Sequence, residues 1–179
     1  MPTSTTTLRC ACGQFHFEVI GEPFSASECH CKSCRNAAQR LSVLPPAFPI
    51  AGDNGGVPYA LCRKDRVRFP NGTDKLAEFR LSDTAPTRRV LTTCCHTPIF
   101  LEFEGGHWVS LFTGLWPEDV RPSPLIRTQT GDVPDGVMLD DSLPAGTMTT
   151  AGFYARLLGE WIAMGFKSPK ITIEETINA

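Results

Sequence analysis

The sequence has no excess of charge of either sign, no long apolar run, no repeat and no low-complexity tract. Seventeen Lys and Arg stand against nineteen Asp and Glu in 179 residues, a net charge of -2. The basic residues are interleaved with acidic ones and make no stripe of the kind that tracks phosphates, which excludes a nucleic-acid partner from the expectations. Without an apolar stretch long enough to cross a bilayer, a membrane span is not expected either. The opening residues, MPTSTTTLRC, carry neither the basic start nor the apolar core of a secretory leader. That predicts a cytoplasmic chain in a reducing pool, where cysteines serve as ligands or catalytic thiols more often than as disulfides. With no linker in view, the expectation is one domain over residues 1–179. Its 41% hydrophobic and 20% charged residues are those of a globular chain with a core of its own.

The local pattern predicts a mainly β fold, an antiparallel meander or barrel with a C-terminal α-helix. Leu8–Ile20 reads as a hairpin-like opening, Gly13 allowing a tight turn into a strand with Phe15, Phe17 and Val19 on one face. Further strands are expected at Arg66–Phe69, Leu76–Leu81, Arg88–Thr92, Ile99–Phe103 and Trp108–Phe112, with Pro70-Asn71-Gly72 and Gly105-Gly106 as turns. These define a motif-bearing β core over about 8–115. Residues 45–58 and 117–146 are rich in Pro and Gly and read as loops, the second a long surface excursion with room for a short pairing at Leu125–Gln129. The last element is a helix over about 150–164, capped by Thr149 or Thr150 and ended by Gly165. Phe153, Leu157, Leu158, Trp161 and Ile162 recur along it at helical spacing, a stripe expected to pack on the core.

What the sequence does have is eight cysteines, seven of them in three clusters: Cys10-Ala11-Cys12, Cys29-His30-Cys31-Lys32-Ser33-Cys34 and Cys94-Cys95. Closely spaced cysteines can aim their sulfurs at one ion, because a zinc–sulfur bond of about 2.3 Å demands sulfurs within about 4 Å of one another. Two separated pairs can close one four-ligand structural site. The middle cluster offers three thiolates from one knuckle, leading into a short helix with Cys34 near its start, and three ligands leave zinc a fourth position for water or substrate. Four thiolates on a divalent ion leave a charge of -2 and three leave -1, so the knuckle is the better Lewis acid. His30 and His96 are expected to hydrogen-bond around a site rather than to ligate. His16 and His107 read as surface residues and Cys62 as a buried small hydrophobe. Strain argues against a Cys94–Cys95 disulfide.

In Cys10-Ala11-Cys12-Gly13 with the strand after it, in Cys29-His30-Cys31-Lys32-Ser33-Cys34-Arg35 and in Cys95-His96-Thr97-Pro98-Ile99-Phe100, the sequence resembles the glutathione-dependent formaldehyde-activating enzymes and their centromere-protein-V-like relatives. The resemblance spans roughly residues 8–103. It implies a zinc-stapled, mainly β structure in which Cys10, Cys12 and Cys95 occupy structural metal positions and Cys29, Cys31 and Cys34 catalytic ones. It implies a carbon–sulfur lyase that adds glutathione to formaldehyde, giving S-hydroxymethylglutathione, with a small thiol as partner. One departure is visible: the family's late pair is CxxC, whereas here Thr92 stands two residues before the Cys94-Cys95 pair, making Cys94 or a nearby histidine the candidate fourth ligand. Adjacent side chains diverge in a strand, so both cysteines reach one ion only if the backbone turns sharply. Lys32, Arg35 and Arg63 are candidates to neutralise the carboxylates of a glutathione-like ligand. The rival reading is a zinc-stabilised binding or scaffold module without turnover.

Overall fold

The computed structural model describes residues 4–45 and 48–179. Pro46 and Ala47, within the loop expected over 45–58, lie outside the described residues. The fold is mainly β: the described residues form eleven strands in two sheets, with two α-helices.

The smaller sheet begins with the expected hairpin. Strands β1 (Thr5–Arg9) and β2 (His16–Ile20) pair antiparallel, Leu8 opposite Phe17, and β5 (Val67–Arg68) joins β2 from the other side. Alternation places Phe15, Phe17 and Val19 inside.

The larger sheet holds β3 (Ser25–Cys29), β4 (Val57–Arg63), β6 (Leu76–Phe79), β7 (Thr87–Thr92), β8 (Pro98–Phe103), β9 (Trp108–Phe112), β10 (Ile126–Thr128) and β11 (Glu175–Thr176). Their order is β10-β3-β4-β9-β8-β7-β6-β11, with β6 to β9 forming a meander. The sheet is open: its end strands do not pair with each other, so the meander form of the expectation holds and the barrel form does not. The two edge pairings, β10 with β3 and β11 with β6, are parallel. Phe69 bridges the sheets, its ring centroid 6.0 Å from Phe17 and 6.4 Å from Phe100, within one continuous apolar core.

Two central strands, β3 and β4, are not signalled by alternation. Ser25-Ala26-Ser27 is small, polar and buried, and the inner run of β4 is buried on both faces, so neither shows the half-buried pattern that marks a strand. The 117–146 excursion is less superficial than expected: its short pairing is β10, whose Arg127 and Thr128 are buried.

Helix α1 (Lys32–Leu41) follows the knuckle and turns Cys34, Ala37, Ala38 and Leu41 inward. Helix α2 (Thr147–Ala163) starts earlier than expected, with Gly146 at its N-cap and no side-chain cap bond. Thr149 and Thr150 instead donate back to the carbonyls of Ala145 and Gly146. Gly165, with φ 62°, ends it. Of the stripe expected to pack on the core only Leu157 is buried, while Leu158 is 51% and Ile162 54% exposed. Phe153 packs partly against the core beside Leu157, and Met164 is buried just past the helix end, so the covered face is narrower than the apolar stripe and Leu158 and Ile162 stay in solvent. Trp161 stacks on His107 at 5.8 Å, and His107 is buried rather than on the surface, its pKa pushed down chiefly by that burial.

Candidate metal centres

Cysteines 84 residues apart converge at the first site. Cys10 ends the β1 arm, where its carbonyl accepts from Gly13 N (2.9 Å) and its amide donates to Phe15 O (3.0 Å), a tight loop that needs the left-handed Gly13 at φ 75°. Cys94 and Cys95 sit in the turn between β7 and β8. That turn bends as sharply as two adjacent ligands require: His96 adopts φ 55° and its amide donates to Thr92 O at 3.0 Å. The sulfurs lie 3.6 Å (Cys10–Cys12), 3.8 Å (Cys10–Cys94), 3.3 Å (Cys12–Cys94) and 3.8 Å (Cys94–Cys95) apart, and all four are within 4.8 Å of one another. A regular tetrahedron with 2.3 Å metal–sulfur bonds has an edge of about 3.8 Å. Four soft sulfur donors at that spacing fit one tetrahedral ion.

Threonines brace this site. Thr97 Oγ1 accepts from Ala11 N at 3.0 Å, tying the β1–β2 loop to the β7–β8 turn, and lies 3.0 Å from Cys95 Sγ. Thr92 Oγ1 accepts from Thr97 N and lies 3.3 Å from the same sulfur. Burial works against the Cys95 thiolate, but these hydroxyls and neighbouring backbone amides outweigh it and bring the thiol down to about 5. Cys94, desolvated and beside other sulfurs, is pushed up to about 12. Thr92, standing where the resemblance implies a ligand, thus contacts a candidate ligand, Cys95, instead.

The second site is the knuckle. Cys29 closes β3, Cys31 caps α1 and Cys34 lies in its first turn, with the three sulfurs within 4.8 Å of one another. Cys34 lies near the helix start as expected, and Cys31 takes the capping position: its sulfur accepts from Cys34 N at 3.3 Å. Hydrogen bonds from Cys29 and then Cys34 lower Cys31, while contacts with Cys31 and then Cys34 raise Cys29. Three side chains around the knuckle are invisible to motif reading. Tyr59, from β4, donates to Cys34 Sγ at 3.6 Å. Arg89, from β7, places Nη2 at 2.8 Å from Ser33 Oγ and 3.9 Å from Cys34 Sγ. Glu28 accepts from Asn54 at 3.0 Å and from Arg127 at 2.9 Å and pairs with His30 at 2.8 Å. A strand position followed by its buried neighbours is the only sequence signal these carry.

Neither His30 nor His96 joins a sulfur cluster among the described residues. His30 is fully buried and its Nε2 meets Glu28 rather than a cysteine, while its Nδ1 has no partner. Cys62 is buried, alone, and raised to about 12 by desolvation. All eight cysteines are free thiols. Lys32 and Arg35 flank the knuckle, whereas Arg63 is held by Asp65 and Glu160.

Fold and donors together define a mainly β, cysteine-rich chain with two places that could hold metal ions. Residues 5–46, which carry five of the seven clustered cysteines, match the sequence model of the glutathione-dependent formaldehyde-activating enzyme family, so the resemblance expected from the motifs is borne out over that segment. Comparison with curated proteins gave no match. A crystal structure of a Rhodobacter sphaeroides protein is similar at 16% identity, with 66% of this chain and 98% of that one covered and a TM-score of 0.45. No helix among the described residues is long and apolar enough to cross a membrane.

Proposed function

We propose that the chain is a zinc-dependent carbon–sulfur lyase of the reducing cytoplasm, acting on small thiol adducts such as S-hydroxymethylglutathione. In this reading Cys10, Cys12, Cys94 and Cys95 hold a structural zinc, and Cys29, Cys31 and Cys34 a catalytic one. The observation that carries it is the convergence of three sulfurs at the head of α1, with no fourth ligand side chain joining them among the described residues. When bound, zinc supplies Lewis acidity and keeps a substrate sulfur deprotonated near neutral pH.

The chain's own residues do the rest. Cys29, Cys31 and Cys34 leave one ligand position to the substrate. Tyr59 and the Cys34 amide donate toward the sulfurs and fix their directions. Arg35 lines a cavity of about 370 Å³ between α1 and residues 49–55, and its buried Nη1 has no partner, which suits the carboxylate of a glutathione-like thiol. In the synthetic direction the thiol sulfur bonds to the aldehyde carbon, the carbonyl π bond opens, and the thiol proton ends on the new hydroxyl. The lyase direction reverses each of these changes.

The test is to follow adduct formation and cleavage by NMR with zinc-loaded protein, glutathione and formaldehyde, metal content being measured on the same sample. Catalysis above the uncatalysed rate that is lost in Cys31→Ser is expected, with Arg35→Ala raising KM. A fully loaded protein with no effect on either rate leaves the binding-module reading in its place.

A further inference from the structure

Arg89 is the one deeply buried cation among the described residues that faces no carboxylate. It is 1% exposed, in the middle of β7. Nη1 donates to Thr87 Oγ1 at 3.2 Å, Nη2 reaches Ser33 Oγ and Cys34 Sγ, and Nε is buried without an acceptor. Its counterparts are all paired: Lys64 with Glu102, Arg88 with Glu78 and Glu102, Arg127 with Glu28 and Asp140. A guanidinium cannot shed its proton inside a protein, and a buried charge without an opposite one is strongly disfavoured. Among the described residues, the groups beside Arg89 able to carry negative charge near neutral pH are the knuckle sulfurs; the neighbouring Tyr59 phenol is held well above its usual pKa by burial and stays neutral.

Counting charge shows which state of the knuckle matches it. Three neutral thiols offer nothing, and three bare thiolates offer -3. Three thiolates around a divalent ion, with a neutral fourth ligand, carry -1, which cancels one guanidinium. Around a monovalent ion the same thiolates carry -2 and leave an excess. The four-cysteine site would carry -2 but is partly open to solvent, with Cys12 exposed, and needs no such partner.

We propose that Arg89 is a built-in counter-ion that makes the knuckle selective for a divalent ion held by three thiolates. It acts as a positioning residue, through Ser33 and Cys34, and need not touch substrate. The inference rests on the metal reading of the knuckle given above.

The test uses the full chain, with Arg89→Met removing the charge and Arg89→Lys keeping it. Each protein is loaded with zinc and titrated with a chelator while metal equivalents are counted, the four-cysteine site serving as the internal control for folding. The expected result is that Arg89→Met loosens the knuckle ion at least tenfold and spares the other, that Arg89→Lys restores most of the loss, and that the preference for zinc over cuprous ion narrows in Arg89→Met. Should Arg89→Met fold poorly, it is combined with serine at Cys29, Cys31 and Cys34. There the stranded cation is a liability, so Arg89→Met should raise Tm, and a lower Tm overturns the proposal. Equal zinc affinity in all three proteins overturns the counter-ion alone, and equal loss in both variants does the same by pointing to shape instead of charge. A parent knuckle that takes up no divalent ion overturns the functional reading as well.

Discussion

Replacing Thr97 by valine tests how the four-cysteine site is held. The side chain is buried and valine has nearly its shape, so packing is preserved while the hydroxyl disappears. Two interactions go: the acceptor for Ala11 N at 3.0 Å and the contact to Cys95 Sγ at 3.0 Å. The first is a neutral hydrogen bond, worth about 1 kcal/mol, and it is lost whether or not metal is bound. The second is a bond to a charged sulfur, worth about 1.5–3 kcal/mol, and it counts fully only when Cys95 is a thiolate. Below about pH 5, where Cys95 is a thiol in the metal-free protein, the stripped protein should therefore lose about 1 kcal/mol, and ion binding, which needs the thiolate, should weaken by roughly 10- to 100-fold, since each 1.4 kcal/mol is about a factor of ten. Losses of that size are what removal of a hydrogen bond to a metal ligand generally produces. Chelator competition reads the second quantity and denaturant unfolding of the stripped protein the first. An ion held as tightly in Thr97→Val as in the parent would refute the assignment of Cys95 as a braced thiolate ligand.

Other substitutions probe the surroundings. Gly56→Ala would place a Cβ 2.5 Å from Glu28 Cγ and 2.8 Å from His30 Cε1, so it should displace that pair, cost about 1–3 kcal/mol and loosen the knuckle ion, read by unfolding and by chelator competition. Leu157→Ala should cost about 2–5 kcal/mol because the side chain is buried, while Leu158→Ala should stay within about 0.5 kcal/mol, a contrast measurable from two denaturation curves. Glu28 and Glu78 meet a burial penalty that their partners overcome, His30 and Arg127 for the first and Arg88 and Arg80 for the second, so both titrate below the usual carboxylate range. Their contribution is therefore present above the unfolded-state value and lost as pH falls through the folded one. Stability should decline below about pH 4, and Glu28→Gln should flatten part of that decline in acid-unfolding curves.

The meander strands from β6 to β9 were legible because each is a short run rich in apolar and β-branched residues set off by Gly or Pro, and Trp108–Phe112 matches the expected bounds. The cysteine clusters were legible because metal geometry forces short spacing. Strands β3 and β4 were not: buried on both sides, or built from serine and alanine, they lose the period that would mark them. The α2 stripe misled because helical spacing gives a face its apolar character but says nothing about how much sheet lies beneath. Arg89 was hidden for another reason. In Arg88-Arg89 two identical side chains sit on opposite faces of β7, one meeting Glu78 and Glu102 and the other the knuckle, and sequence alone cannot tell which of them is buried against sulfur.

That strand also links the two sulfur clusters. Arg89 lies under the knuckle, and Thr92, three residues on and about 10 Å along an extended chain, braces Cys95. Between them the pairing with β8 shifts register at Val90 and Leu91. An ion at the four-cysteine site would pin the β7–β8 turn to the small sheet through Cys94, Cys95 and the Thr97–Ala11 bond. A pinned β7 holds Arg89 against Ser33 and Cys34. Stripping the four-cysteine site in Cys12→Ser should therefore weaken ion binding at the knuckle as well, although no ligand of the knuckle has changed. The reverse change, Cys31→Ser, should leave the four-cysteine site with its ion, because that site's braces, Thr92 and Thr97, do not depend on α1.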